Sequence, residues 1–172
     1  EWRTAPGNPS LLDYLKTSSD VANYLDERAA APAKIVIGLV GSGHADSVKN
    51  LGGTDLIAKI NSYYDPDQAI YVGYGGSQTH NWDQSWVILG LLAAGEDVPS
   101  KAVQVLAARV NSDGGWGWAD DIFSDADSTG LVMQALLAGG YAPGQLRLVT
   151  HLDVSNEDIE MAIAAFRDWF RA

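Results

Sequence analysis

Three short segments of this 172-residue chain read alike, and they constrain its fold more than any other feature. They are Lys34-Ile-Val-Ile-Gly-Leu-Val-Gly-Ser-Gly43, Val87-Ile-Leu-Gly-Leu-Leu-Ala-Ala-Gly95 and Leu131-Val-Met-Gln-Ala-Leu-Leu-Ala-Gly-Gly140. Their closing glycines lie 52 and 45 residues apart, a period typical of stacked supersecondary units. Each segment is apolar on every side over about three turns, which predicts a helix buried all round rather than a strand. The closing glycine predicts a left-handed C-terminal cap, since only a residue without Cβ takes that conformation cheaply. These are the expected inner helices.

Between them lie amphipathic stretches. Leu56, Ile57 and Ile60 mark one, and Val103, Leu106 and Val110 the other, with Lys59, Lys101 and Arg109 off the apolar stripe. These predict outer helices, with Thr54 and Ser100 as N-caps. Leu11, Leu12 and Leu15 predict one more short outer helix, while strand signals are weak. The expected fold is therefore all-α: about three helical hairpins over residues 1–145, with repeat cores near 10–43, 54–95 and 100–140. Residues 146–172 break the pattern. Leu146-Arg-Leu-Val-Thr-His151 alternates like a short strand, and a helix carrying Ile159, Ile163, Phe166 and Phe170 follows from Ser155. Together they predict a capping strand and helix, as expected at the exposed end of an array.

Charge excludes some partners. Eleven basic against 22 acidic residues leave a net charge of −11, which disfavours nucleic acid and anionic membrane surfaces. Residues 61–146 hold only Lys101 and Arg109 against ten acids, so −8 of that charge sits there, interleaved with aromatic residues and glycine. The chemistry is expected in that segment. Without cysteine there is no disulfide and no thiolate nucleophile or ligand. No apolar run reaches spanning length. A start at Glu1 reads either as a processed mature chain or as an excised piece. His44, His80 and His151 form no hydrolase or zinc-peptidase pattern, and no phosphate-cradling loop appears.

Asn111-Ser-Asp-Gly-Gly-Trp-Gly-Trp118, followed by Ser124-Asp-Ala-Asp-Ser-Thr129 and the third apolar segment, resembles the repeat of squalene cyclases and prenyltransferase β-subunits. Gly53-Thr-Asp-Leu-Ile-Ala-Lys-Ile-Asn-Ser-Tyr-Tyr-Asp65, running into the second segment, looks like another copy from the secreted multi-repeat bacterial proteins of that superfamily. The resemblance spans roughly residues 10–141 and implies an α/α toroid. Three hairpins are too few to close such a ring, so an arc or incomplete ring is expected. The family's motif has Gln where this chain has Val110, and its zinc branch needs a Cys ligand, so prenyl transfer and zinc are not expected. The tail from Leu146 to Ser155 and its helix resembles the C-terminus of low-specificity threonine aldolases, in which Arg147 would meet a substrate carboxylate. The cofactor-lysine domain of that family is missing, so no aldolase is implied.

Asp125-Ala-Asp127-Ser-Thr129 is close to the acid motif of class II terpene cyclases, which implies Asp127 as a general acid with Asp125 as partner. From the residues alone helix capping is the simpler role, because aspartates at a helix start meet free N–H groups and the positive dipole end. Trp116, Trp118, Trp82, Trp86 and Tyr74 suit either an apolar ligand pocket or wedges between hairpins. Asp113, Asp120 and Asp121 could supply oxygen ligands to calcium or remain solvated loop acids. The function expected is a non-catalytic extracellular or cell-surface repeat module for binding or assembly. The alternative is an acid-initiated isoprenoid cyclase. Expected partners are a hydrophobic small molecule and a second copy completing a ring or extending as a filament.

Overall fold

The computed structural model of the chain describes residues 10–141. The expected strand and helix of 146–172 lie outside the described residues. The regular elements among the described residues are two short 3-10 turns, Ala45–Ser47 and Tyr74–Gly76, with seven α-helices and one two-stranded antiparallel sheet: α1 Leu11–Thr17, α2 Ser19–Leu25, α3 Ala30–Gly41, α4 Leu56–Asn61, β1 Tyr64–Asp65, β2 Ile70–Tyr71, α5 Asn81–Ala93, α6 Ser100–Ala108 and α7 Ala126–Ala138. The fold is mostly helical.

The three apolar segments are α3, α5 and α7, and they stop in the same way. Gly43, Gly95 and Gly140 take φ of 83°, 73° and 78°. Each glycine N–H donates to the carbonyl three residues back, in Val40, Leu92 and Leu137. The next residue donates five back: His44 to Leu39 at 2.7 Å, Glu96 to Leu91 at 3.0 Å and Tyr141 to Leu136 at 2.9 Å. This is the Schellman closure, which satisfies carbonyls that would otherwise end the helix unpaired. The accepting leucines occupy the same place in each repeat, and all three are buried.

These helices lie side by side, α5 in the middle, with α4 against α3, and α6 across α5 and α7. Close approach has a visible cause at Gly90. A Cβ there would stand 2.9 Å from the backbone Cα and carbonyl oxygen of Ala33, so α3 and α5 meet backbone to backbone. Only α5 has inner neighbours on both flanks among the described residues. Gly38 and Gly41 of α3, and Gln134 and Ala138 of α7, are exposed. The expectation of inner helices buried all round is thus corrected, since α5 too exposes Trp82 and Ala93. The apolar core follows the same division. One cluster joins α2 to α5 through Val36, Leu56, Ile60 and Leu91, and a second joins α5, α6 and α7 through Ile88, Leu106, Val132 and Leu136.

Local details depart from expectation. Asp55, not Thr54, caps α4, accepting from the N–H groups of Ile57 and Ala58 at 2.9 and 3.0 Å. A carboxylate can accept both bonds at once, which the threonine hydroxyl one residue earlier does not reach. Pro99 takes the cap position of α6 and Ser100 its first helical place. Val110 lies beyond α6 and is exposed, so the outer stripe ends at Leu106 and Ala107. Helix α2 and the β1–β2 hairpin were not anticipated. Strands of two residues carry no period to read, and this hairpin is held partly by a side chain. The Gln84 amide, from α5, accepts from Tyr71 N–H at 2.8 Å and donates to the Tyr71 carbonyl.

Tyr71 is 1% exposed, and burial, with Tyr64 as a second cause, pushes its phenol up to about 12 from 10.0. The folded chain therefore holds that proton more tightly than the unfolded chain. The associated stability is complete below pH 10 and is lost as pH rises toward 12, by about 3 kcal/mol. Urea unfolding from pH 9 to 11.5 should show this decline in the wild type and a flatter profile in Tyr71→Phe. Equal slopes would contradict it.

Candidate functional site

The segment from Asn111 to Thr129 folds onto itself. Asn111 Nδ2 donates to the Ile122 carbonyl at 2.8 Å and to Ser124 Oγ at 2.9 Å. Asp113 Oδ1 accepts from Gly115 N–H at 3.0 Å and Ser124 Oγ at 2.8 Å. The glycines are required by this crossing. A Cβ on Gly117 would stand 2.6 Å from the Ile122 carbonyl oxygen, and one on Gly115 2.8 Å from Ser124 Cβ. Gly115 and Gly117 are therefore packing requirements of the loop, and Gly114 takes a φ of 87°.

The loop separates its two tryptophans. Trp116 points into the core between α6 and α7, 3% exposed, and its indole N–H donates to the Leu106 carbonyl at 3.1 Å. Of the two roles the sequence left open for it, its placement is that of a wedge between helices. Trp118, two residues on, is 47% exposed. Backbone bonds from Trp82 N–H to the Trp118 carbonyl and from Asp120 N–H to the Thr79 carbonyl lay it beside the start of α5. The His80 ring meets the Trp118 ring edge to face at 5.2 Å.

A cavity of about 390 Å³ opens there, at the N-terminal ends of the inner helices. Trp82, Trp86, Trp118 and Tyr74 wall it, so four of the five expected aromatic residues are brought together. Trp82 and Trp86 follow one another on α5 by one turn. Trp82 is held in place by a relay: its indole N–H donates to Ser128 Oγ at 2.7 Å, and that hydroxyl donates to Asp125 Oδ2 at 2.7 Å. Asp125 Oδ1 in turn accepts from Ser128 N–H at 2.8 Å as the cap of α7. Capping is thus the role the structure assigns to Asp125. Asp127 is exposed on the first turn and does not line the cavity, so the expected pair of catalytic acids does not converge.

The polar side of the cavity comes from residues that motif reading passed over. His80 Nδ1 and Asp83 Oδ2 are 2.9 Å apart, and Asp83 also accepts from Tyr74 N–H at 3.3 Å. Asp83 is 3% exposed. It leaves no room beside it, since a Cβ on Gly73 would stand 2.3 Å from Asp83 Oδ2. Arg28 and Lys34 complete the lining. The Arg28 guanidinium lies over the Tyr74 ring at 4.9 Å, and the Lys34 ammonium over Trp86 at 5.3 Å. Burial, then the Arg28 charge, pushes the Lys34 ammonium below its ordinary value, and Asp83 offsets part of this. The repeat offset carries the signal that finds these residues. Lys34 stands 52 residues before Trp86, and Ser128 stands 45 after Asp83, so the cavity is lined by equivalent positions of successive repeats.

The acids expected to hold calcium are not gathered. The Gly115 N–H, then the Ser124 hydroxyl, hold the Asp113 carboxyl below its usual range, so Asp113 serves its own loop. Asp120 faces Arg109 at 4.0 Å, and Asp121 is exposed. Among the described residues no three His, Cys, Asp or Glu side chains stand where they could share a metal ion. No helix among them is long and apolar enough to cross a membrane. The chain matches no protein-family model, and the curated proteins and the solved structures yield no match to it either.

Proposed function

We propose that the chain is a non-catalytic binding module, an open arc of α/α hairpins akin to the squalene-cyclase and prenyltransferase repeat, that takes a small molecule with an apolar body into the cavity at α5 and α7. The observation that carries this reading is the convergence of Trp82, Trp86, Trp118 and Tyr74 on one cavity of about 390 Å³, within the usual range of small-molecule sites. The alternation of outer and inner helices and the three equal helix closures support the toroid-like arrangement. Acid-initiated cyclisation draws little support. It needs a carboxylic acid whose hydroxyl is aimed at the substrate, but Asp127 is exposed away from the cavity and its partner Asp125 directs both oxygens at Ser128. Hydrolysis draws none either, because the Ser128 hydroxyl donates to Asp125 and not to His80.

Titration with a neutral naphthylamine dye, followed by dye and tryptophan fluorescence, tests the binding reading. One-to-one saturation is expected, with about tenfold weaker binding in Trp82→Ala or Trp118→Ala, each of which removes one aromatic wall. Failure of the dye to saturate would overturn it. Consumption of squalene that disappears in Asp127→Asn would establish the cyclase instead. Native mass spectrometry over a range of concentrations separates binding from assembly, since a ring of two arcs shows a doubled mass.

A further inference from the structure

Among the described residues no carboxylate is hydrogen-bonded to the cations of the cavity. The nearest carboxylates to Arg28 are Glu27 at 3.7 Å and Asp83 at 3.9 Å, too long for hydrogen bonds. Its buried Nε has no hydrogen-bond partner among the described residues, and neither does the buried indole nitrogen of Trp86. Both residues line the same cavity, as does Lys34. A buried donor left unpaired is costly, and two cations facing one space add their repulsion. One acceptor anion seated among the three would relieve both terms at once.

We propose that the cavity binds an amphiphilic monocarboxylate, its carboxylate held by Arg28, Lys34 and the Trp86 indole N–H, and its apolar body against Trp82, Trp118 and Tyr74. The inference rests on the binding reading above and adds the ligand's charge to it. A planar carboxylate matches the fork of a guanidinium, which presents Nε and a terminal nitrogen together. Charge decides between one negative charge and several. Asp83 and Asp125 also line the cavity, so two cations face two carboxylates already present, and a dianion would meet like charge on both sides. The net acidity of residues 61–146 acts in the same direction. The aromatic rim suits the other end of the ligand, because Trp82, Trp118 and Tyr74 keep 39%, 47% and 57% of their surface in solvent.

The test uses the whole protein with matched probes at neutral pH: 4-phenylbutyrate and octanoate, their primary amides, and octyl phosphate as a dianion, read by calorimetry and tryptophan fluorescence. Each carboxylate is expected to bind about tenfold or more tighter than its amide, and octyl phosphate no tighter than octanoate. In Lys34→Met the ratio of acid to amide affinity should collapse toward one. Trp86→Phe, which keeps a ring and loses the N–H, should lower the same ratio several-fold. Arg28→Lys, which keeps a charge without the fork, should also reduce it. Equal binding of acid and amide overturns the inference, as does tighter binding of octyl phosphate. If the neutral dye saturates while no carboxylate binds, the inference falls and the binding module stands. If neither dye nor probes bind, both fall.

Discussion

Exchanging Gln84 for methionine is expected to destabilise the protein by about 3 kcal/mol, although the two side chains are close in size. Gln84 is 2% exposed, and its amide pairs with both the N–H and the carbonyl of Tyr71. It thereby does for strand β2 what a neighbouring strand would do. Methionine fills the space and leaves two buried backbone groups without partners. Binding should suffer as well, because β2 leads through Val72 and Gly73 into Tyr74, the cavity wall. Urea unfolding gives the first quantity and dye titration the second. A stability change under about 0.5 kcal/mol, typical of a surface site, would show that the Gln84 contact does not hold the hairpin.

Trp116→Ala and Trp118→Ala should behave in opposite ways, though only Gly117 separates them. Loss of the Trp116 indole empties the space between α6 and α7 and leaves the Leu106 carbonyl only the 3.3 Å bond from Arg109 N–H. A cost of about 3–5 kcal/mol is expected. Trp118 is nearly half exposed and touches the cavity, so its loss should cost stability little and dye binding about tenfold. Denaturation of both variants beside the dye titration checks the pair. Equal stability losses would mean that the loop does not sort its tryptophans as the structure shows.

That sorting was open in the sequence. Glycine-flanked tryptophans suit a ligand wall and a helix wedge equally, and the difference lies in which way the chain crosses itself at Ser124. The same holds for the aspartates after it. Capping and acid catalysis both want a carboxylate at a helix start, and only the two bonds to Ser128 identify Asp125 as the cap. The four aromatic residues of the cavity wall all lie in the acidic segment 61–146. The two cations do not, because Arg28 and Lys34 come from the first repeat, where acidic and basic residues nearly balance. Composition by segment cannot reveal a site whose parts the fold draws from different segments.

By itself the sequence determined the helices α3, α5 and α7 and the manner of their closing. Those depend on contacts no more than five residues apart and on the one residue type that tolerates positive φ, so they are written locally. It also determined the repeat offset, since equivalent leucines must be buried at equivalent places. Only the tertiary structure decided what the ends of those helices enclose. Residues from Arg28 to Ser128 meet in one cavity because α3, α5 and α7 lie side by side. The distances that matter there, from Trp82 to Ser128 and from Arg28 to Asp83, are set by helix packing across half the chain, where no local pattern reaches.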